Sequence, residues 1–202
     1  GLPDTGRCII SVEEGKIHVR TSAACIGQGM ATVTTQIACE TLNLPPEMIV
    51  AEAPDTRRTP NSGTTTASRQ SLFTGEATRR AAMQLRYELD MGRALSDLEG
   101  EEFYGEYSAK TDPLINDKKS PVSHAGYGYA AEVAILDDKG KVAKFVAAYD
   151  MGQVVNPRAA EGQIEGGIAM GMGYALTEKF ALEEGYVKAK YATLGLVNAR
   201  SE

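Results

Sequence analysis

Nine consecutive residues, Ser62-Gly63-Thr64-Thr65-Thr66-Ala67-Ser68-Arg69-Gln70, carry almost nothing that a core can bury, and they stand between Pro60 and a long helical pattern. A chain with this strip must bring an unpacked, hydroxyl-rich segment to the start of a helix, where the first main-chain N–H groups lack intrahelical partners. Hydroxyls, free N–H groups and a guanidinium then share one place, which is how an anion or a phosphate-bearing cofactor is held. Ser, Thr and Gly also gather at helix starts because they cap well, and composition alone favours that plainer reading.

Around the strip the chain reads as an α/β protein. Residues 7–12 and 16–22 are apolar or alternating runs about Glu13-Glu14-Gly15, which predicts a hairpin. Met30, Val33, Ile37 and Leu44 recur at helical spacing and stop at Pro45-Pro46, and a short apolar run over 48–53 completes a strand-helix-strand unit. The longest helix is expected from Ser68 to about Leu95, with Leu72, Ala81, Leu85 and Leu89 on its apolar side and Glu76, Arg79, Arg80 and Arg86 on its wet side. Residues 97–120 are polar and acidic, with a short strand around 103–109, and read as a connection. Tyr127–Leu136 and Lys141–Tyr149 flank Asp137-Asp138-Lys139-Gly140 as a second hairpin.

A last helix starts at Asn156-Pro157 and reaches about Phe180. It contains Gly162, Gly166, Gly167, Gly171 and Gly173. Each interior glycine weakens a helix by about 1 kcal/mol relative to alanine, so a close approach of backbone or ligand is expected there. The organisation expected is a first half over 1–96, a connecting loop over 97–120 and a second half over 121–202.

Bulk properties exclude several classes. The 202 residues carry 21 basic and 27 acidic side chains, a net charge of -6 with no basic stripe, which argues against a nucleic-acid partner. Cys8, Cys25 and Cys39 form neither a disulfide framework nor a Cys-x-x-Cys pair, so a reducing, cytoplasmic setting is the default. With only His18 and His124 beside those cysteines, a protein-ligated zinc or iron-sulfur site has little to build on. The longest apolar run, 168–176, falls far short of the about 20 residues of a membrane span, and no signal peptide is recognisable. The chain opens at Gly1 without a methionine, which suggests a piece of something longer.

Three elements repeat one design: Gly27-Gln28-Gly29 between strand and helix, the Thr66-Ala67-Ser68-Arg69-Gln70 strip before the second helix, and Gly162-Gln163 near the start of the last helix. Glycine lets main chain approach a ligand, and a glutamine amide carries donors and an acceptor in one plane. No Gly-x-Gly-x-x-Gly, Walker-type or Gly-x-Ser-x-Gly motif occurs, so nucleotide hydrolysis and serine catalysis lose support.

Taken together, Ile26-Gly27-Gln28-Gly29, the stretch from Pro60-Asn61 through Ala67-Ser68 to Gly75, and Tyr149-Asp150-Met151-Gly152 through Asn156-Pro157 to Gly162-Gln163-Ile164-Glu165-Gly166 resemble the molybdopterin-binding large subunit of the xanthine dehydrogenase and aldehyde oxidase family. The resemblance covers nearly the whole chain, and Thr64–Gln70 is most similar to the purine or heteroaromatic branch. It implies that Gln28 bonds the pterin, with Gly27 and Gly29 allowing close approach. It further implies that Thr65, Ala67, Ser68 and Gln70 wrap the metal end and phosphate, Ala67 being small beneath the molybdenum, and that Gln163 is the second pterin-binding glutamine. Arg69 has two readings, a partner for the pyrophosphate of a dinucleotide form of the cofactor and a structural arginine at a helix start.

The implied activity is hydroxylation of an electron-poor carbon with water-derived oxygen, a glutamate serving as general base, with electrons leaving through iron-sulfur centres to FAD on other domains or subunits. Metal ligands would come from the pterin dithiolene, consistent with the lack of a His or Cys cluster. The family's catalytic glutamate has no match here: Gly75-Glu76, Gly100-Glu101 and Gly105-Glu106 lack its context. The expectation is therefore a cofactor-binding portion, inactive alone, with the base outside these residues and the cofactor held by both halves. Open alternatives are a non-catalytic pterin- or nucleotide-binding module, another molybdenum hydroxylase such as an aldehyde oxidase, and a purely structural role for the glycines and threonines.

Overall fold

The computed structural model describes residues 4–113, 115–122, 126–190 and 195. His124 lies outside them. The chain divides into two compact units, Gly1–Val155 and Asn156–Glu202.

In the first unit, β1 (Thr5–Glu13) and β2 (Lys16–Arg20) form the expected hairpin, antiparallel with Glu13 opposite Lys16. Glu14 and Gly15 both take positive φ, 51° and 70°, as a two-residue turn between twisted strands requires. Helix α1 (Met30–Leu42) buries Met30, Val33, Thr34, Ala38 and Leu42 and ends where Asn43 turns left-handed, its N–H bonding Cys39 O. A 3-10 turn at Pro46–Met48 leads to β3 (Ile49–Ala51), parallel to β2, which closes the strand-helix-strand unit.

Helix α2 (Gln70–Asp90) then crosses the same sheet face, and β4 (Glu102–Ser108) pairs antiparallel with the outer edge of β1. The sheet order is β3-β2-β1-β4. The stretch expected as a connection thus contains an edge strand of the first sheet. Cys8, Ile10, Val12, Ile17, Val19, Ala38, Leu42, Ala77, Ala81, Leu85 and Phe103 make the core between sheet and helices. Complete burial pushes the Cys8 thiol up to about 12.

α2 buries Ala81 and Leu85 and packs Leu89 against the core as its apolar pattern predicts, but not Leu72. Leu72 is 38% exposed, whereas Thr74, Ala77, Thr78 and Ala81 are buried. The reason lies in the strands. A Cβ at Gly6 would meet Phe73 C and O at 2.3 Å, and one at Gly105 would meet Ala77 O at 2.0 Å. The helix backbone rests directly on two strand glycines, so small and hydroxyl side chains face the sheet. Thr78 Oγ1 is satisfied within the helix by Thr74 O at 2.8 Å.

The opposite sheet face is ionic. Arg20, 2% exposed, donates to Ser11 Oγ at 2.9 Å and Glu52 Oε1 at 3.0 Å and also pairs with Glu13. Its bond holds the Glu13 carboxyl below the usual range. Glu52 is likewise lowered, because bonds from Arg20 and His18 outweigh a burial that pushes it up.

Strands β5 (Tyr129–Leu136) and β6 (Val142–Asp150) form the second expected hairpin, turned by Asp137 N to Lys141 O at 2.8 Å. Every residue of β5 is exposed. In the second unit, α3 (Pro157–Leu176) starts with Pro157 at N1 and Asn156 Oδ1 accepting from Ala159 N at 3.0 Å, and a short hairpin of β7 (Leu182–Glu183) and β8 (Tyr186–Val187) follows.

Candidate functional site

The loop before α1 and the strip before α2 come together at one atom. Ala24 O accepts from Gln28 Nε2 at 3.1 Å and from Thr65 Oγ1 at 2.9 Å. Gln28 Oε1 accepts from Ile26 N at 2.6 Å, so the Gln28 amide braces its own loop. Gly27 and Gly29 take φ of 108° and 78°, a conformation that favours glycine, and no described atom lies within 4 Å of where their Cβ atoms would stand. Ile26 and Gly27 are exposed.

Ser62 anchors the upstream end of the strip. It is fully buried, its Oγ lies 2.7 Å from Thr21 Oγ1, and its N–H donates to Ser22 Oγ at 2.7 Å. Downstream, Gln70 is buried and donates to Thr65 Oγ1 at 3.1 Å while accepting from Thr74 Oγ1. Between these anchors Thr66, Ala67 and Ser68 are exposed. Arg69 is buried and bonds Asp4, Thr5 O, Ser62 O and Thr64 O.

Both helix starts lack side-chain caps and carry no acidic residue in the first turn. The first N–H groups of α1 therefore receive no side-chain cap from the N-cap residue, that of Met30 facing the Cys25 thiol, and no acidic side chain in the first turn offsets the positive end of the helix dipole. Cys25, at the mouth of the loop, shows the same field: the N–H of Gly27, then those of Met30 and Gly29, bring its thiol below the usual range. Sequence reasoning missed Cys25. Its position just before a Gly-rich helix start was the available signal.

Gln163 lies exposed in the first turns of α3, in the second unit. Unlike α1 and α2, α3 is capped by a side chain, that of Asn156.

The three glutamates that follow glycines are all engaged. Glu76 bonds Arg79 and Arg80, Glu101 bonds Arg93, and Glu106 bonds Tyr104 and Arg7. Each carboxyl is held below its usual range, chiefly by Arg79, by Arg93 and by Tyr104 respectively. Among the described residues, Glu13, His18 and Glu52 bring ligand atoms within 4.8 Å of one another, but Arg20 and Arg58 already neutralise those carboxylates.

A molybdopterin suits the donor set of the loop and strip: N–H groups at two uncapped helix starts for phosphate and pterin acceptors, two glycines without steric cover, and a small exposed side chain at Ala67. The chain matches the sequence model of the molybdopterin cofactor-binding domain over residues 2–99 and 87–196. It is 28% identical to the putative xanthine dehydrogenase molybdenum-binding subunit XdhA of Escherichia coli, over 91% of this chain and 29% of the relative. With the gamma subunit of the 6-hydroxypseudooxynicotine dehydrogenase complex of Paenarthrobacter nicotinovorans it shares 29% identity, over 91% of this chain and 27% of the relative. The aldehyde oxidoreductase of Desulfovibrio desulfuricans superposes with a TM-score of 0.74 at 25% identity, covering 98% of this chain and 24% of that structure. The chain thus spans less than a third of the proteins it matches. With three comparisons in agreement, the chain belongs to the molybdopterin cofactor-binding domain family.

Proposed function

We propose that the protein containing these residues is a molybdenum hydroxylase acting on an N-heteroaromatic, purine-like compound, and that this chain supplies cofactor-binding walls rather than the catalytic base. The observation that carries the reading is the junction at Ala24 O, where the Gln28 loop and the Thr65 strip are bonded together at two uncapped helix starts. When bound, molybdopterin supplies the redox metal and its sulfur ligands. The protein's part is to hold and orient. Gly27 and Gly29 admit the pterin against main chain, Gln28 keeps the loop in shape and faces the pterin, and Thr65, Ala67 and Ser68 present donors and room at the metal end. Gln70 fixes Thr65 from behind, and Gln163 is the pterin-facing glutamine of the second unit.

The base is assigned outside this chain because Glu76, Glu101 and Glu106 are each tied to an arginine that keeps them charged and engaged. Iron-sulfur and FAD partners, and a cytoplasmic setting, belong to the same proposal. Support for the partners comes from relatives named as one subunit of a complex. No helix among the described residues is long and apolar enough to cross a membrane. The purine-like substrate follows relatives named xanthine dehydrogenase and probable hypoxanthine oxidase. A relative from Megalodesulfovibrio gigas, 31% identical, is named aldehyde oxidoreductase and keeps aldehydes as a second reading.

The test is made on the intact purified complex. Elemental analysis and pterin fluorescence after acid release should show molybdenum and pterin together, and Gln28→Ala should lower both by about tenfold, the loss of one or two hydrogen bonds that shape the loop. Xanthine or hypoxanthine with a dye acceptor should be oxidised. Absence of molybdenum and pterin would sink the cofactor reading, and turnover of an aldehyde but no purine would replace the substrate.

A further inference from the structure

Ala67 and Ser68 sit immediately before α2 with φ of 51° and 53°. Two successive left-handed residues that carry a Cβ are disfavoured, and such outliers persist only where surrounding structure over-determines them. Packing does not impose them, because both side chains are exposed. The force comes from the next residue. The Arg69 side chain is 7% exposed. Its Nε donates to Asp4 Oδ1 at 3.1 Å, Nη1 donates to Ser62 O at 2.9 Å and Thr64 O at 3.2 Å, and Nη2 donates to Thr5 O at 2.9 Å. The guanidinium also stands 4.9 Å from the Phe73 ring on the first turn of α2. Gly63, at φ 73°, curls around this fork so closely that a Cβ there would come within 3.1 Å of Nη1.

A guanidinium has five N–H donors in one plane. Four are already matched to acceptors of this chain, one a carboxylate that offsets the charge. We propose that Arg69 is a positioning residue for the cofactor strip rather than a ligand to a cofactor phosphate. It ties the carbonyls of Ser62 and Thr64 to the start of β1, which forces the chain to re-enter α2 through the left-handed Ala67-Ser68 pair and turns the 65–68 backbone outward in its binding shape before any cofactor arrives. Gln70, braced on Thr65 Oγ1, closes the same loop from the helix side. Preformed shape of this kind raises affinity by removing the ordering penalty at binding. The inference rests on the reading of the strip as a cofactor wall.

The test uses the intact subunit in its complex, made in cells that synthesise molybdopterin and in cells that cannot. In cofactor-free protein, Arg69→Ala and Arg69→Lys should both speed hydrogen exchange of the 63–68 amides by about tenfold or more, with β1, β2 and the second half of α2 unchanged. In cofactor-replete cells molybdenum and pterin per chain should fall by a similar factor, and lysine should not rescue, because a point charge cannot bridge three carbonyls and a carboxylate. Wild-type exchange of the strip in Arg69→Ala, with cofactor content lost and restored by lysine, would overturn positioning in favour of direct phosphate pairing and leave the cofactor wall standing. Faster exchange with full cofactor content would also overturn it. If Ala67→Val and Gln28→Ala likewise keep full content, it is the cofactor-wall reading that has failed. Should Arg69→Ala not fold, Asp4→Asn keeps the carbonyl bonds and removes only the counter-charge. It should move the same amides by about threefold, and no change there would refute the clamp.

Discussion

Gly6 and Gly105 lie beneath α2, where its main chain presses on the strands, whereas Gly162, Gly166, Gly167 and Gly171 of α3 have no described atom within 4 Å of a would-be Cβ. The residue type is the same and the physical reason differs. Under α2 the missing side chain is filled by the chain's own backbone, so glycine there is a packing device. At these four positions of α3 no described atom fills the space, and the helix carries the conformational weakness of glycine there. Glycine content by itself therefore says little about function; what separates the cases is whose atoms use the space.

The first way to break this contrast is Gly105→Ala. A Cβ 2.0 Å from Ala77 O and 2.7 Å from Ala81 N must lift the helix from the sheet. The expected loss is at least about 3 kcal/mol, the upper range for overpacking, read as a fall in the urea midpoint of the first unit. A loss within about 0.5 kcal/mol, as at a neutral surface site, would mean the close approach is not real. Gly166→Ala should move stability the other way, by up to about 1 kcal/mol of gain in the helix, measured by circular dichroism of the same chain. Destabilisation would show that α3 does have a close neighbour.

The smallest effect sharpens the contrast by location. Glu13 and Glu52 have carboxyls lowered in the folded state by Arg20, with His18 adding to Glu52. Their contribution is complete above the unfolded carboxylate value of about 4.3 and is lost as pH falls through the lower folded value. Acidification from pH 6 to pH 3 should thus loosen β1 and β2, by under about 1 kcal/mol per carboxylate after solvent screening. Amide exchange corrected for intrinsic rates should rise there more than in α3, and an equal rise in both would remove the assignment to the Arg20 cluster.

Much of the fold was legible because it is local. The Glu14-Gly15 turn, the Asp137–Gly140 turn and the Asn156-Pro157 start each announce themselves within a few residues and are present, whereas α1 ends at Leu42 on the left-handed Asn43, short of the Pro45-Pro46 stop. What escaped depends on distant partners. The buried face of α2 runs through Thr74 and Thr78 and misses Leu72 because glycines nearly 70 residues before and 30 after it set the packing distance. The short strand expected around 103–109 is present as β4, but its place beside β1 was not legible, since an edge strand in a polar stretch needs only Phe103 and Gly105 buried. At the site, Gln28, Thr65, Ala67 and Ser68 stood out as a pattern. Arg69 did not declare its role, for its partners Asp4 and Thr5 lie at the other end of the unit.

The sheet order β3-β2-β1-β4 also imposes a calendar. Because β1 is interior and its second neighbour is Glu102–Ser108, a nascent chain that has already emerged through the strip and α2 still has an open β1 edge and no Gly105 for the helix to lie on. At bacterial or eukaryotic synthesis rates of about 5–20 residues per second that interval lasts a few seconds. During it the bonds of Arg69 to Asp4 and Thr5 and of Ser62 to the Arg7 main chain are contacts that already join strip and strand before the sheet beneath them is complete.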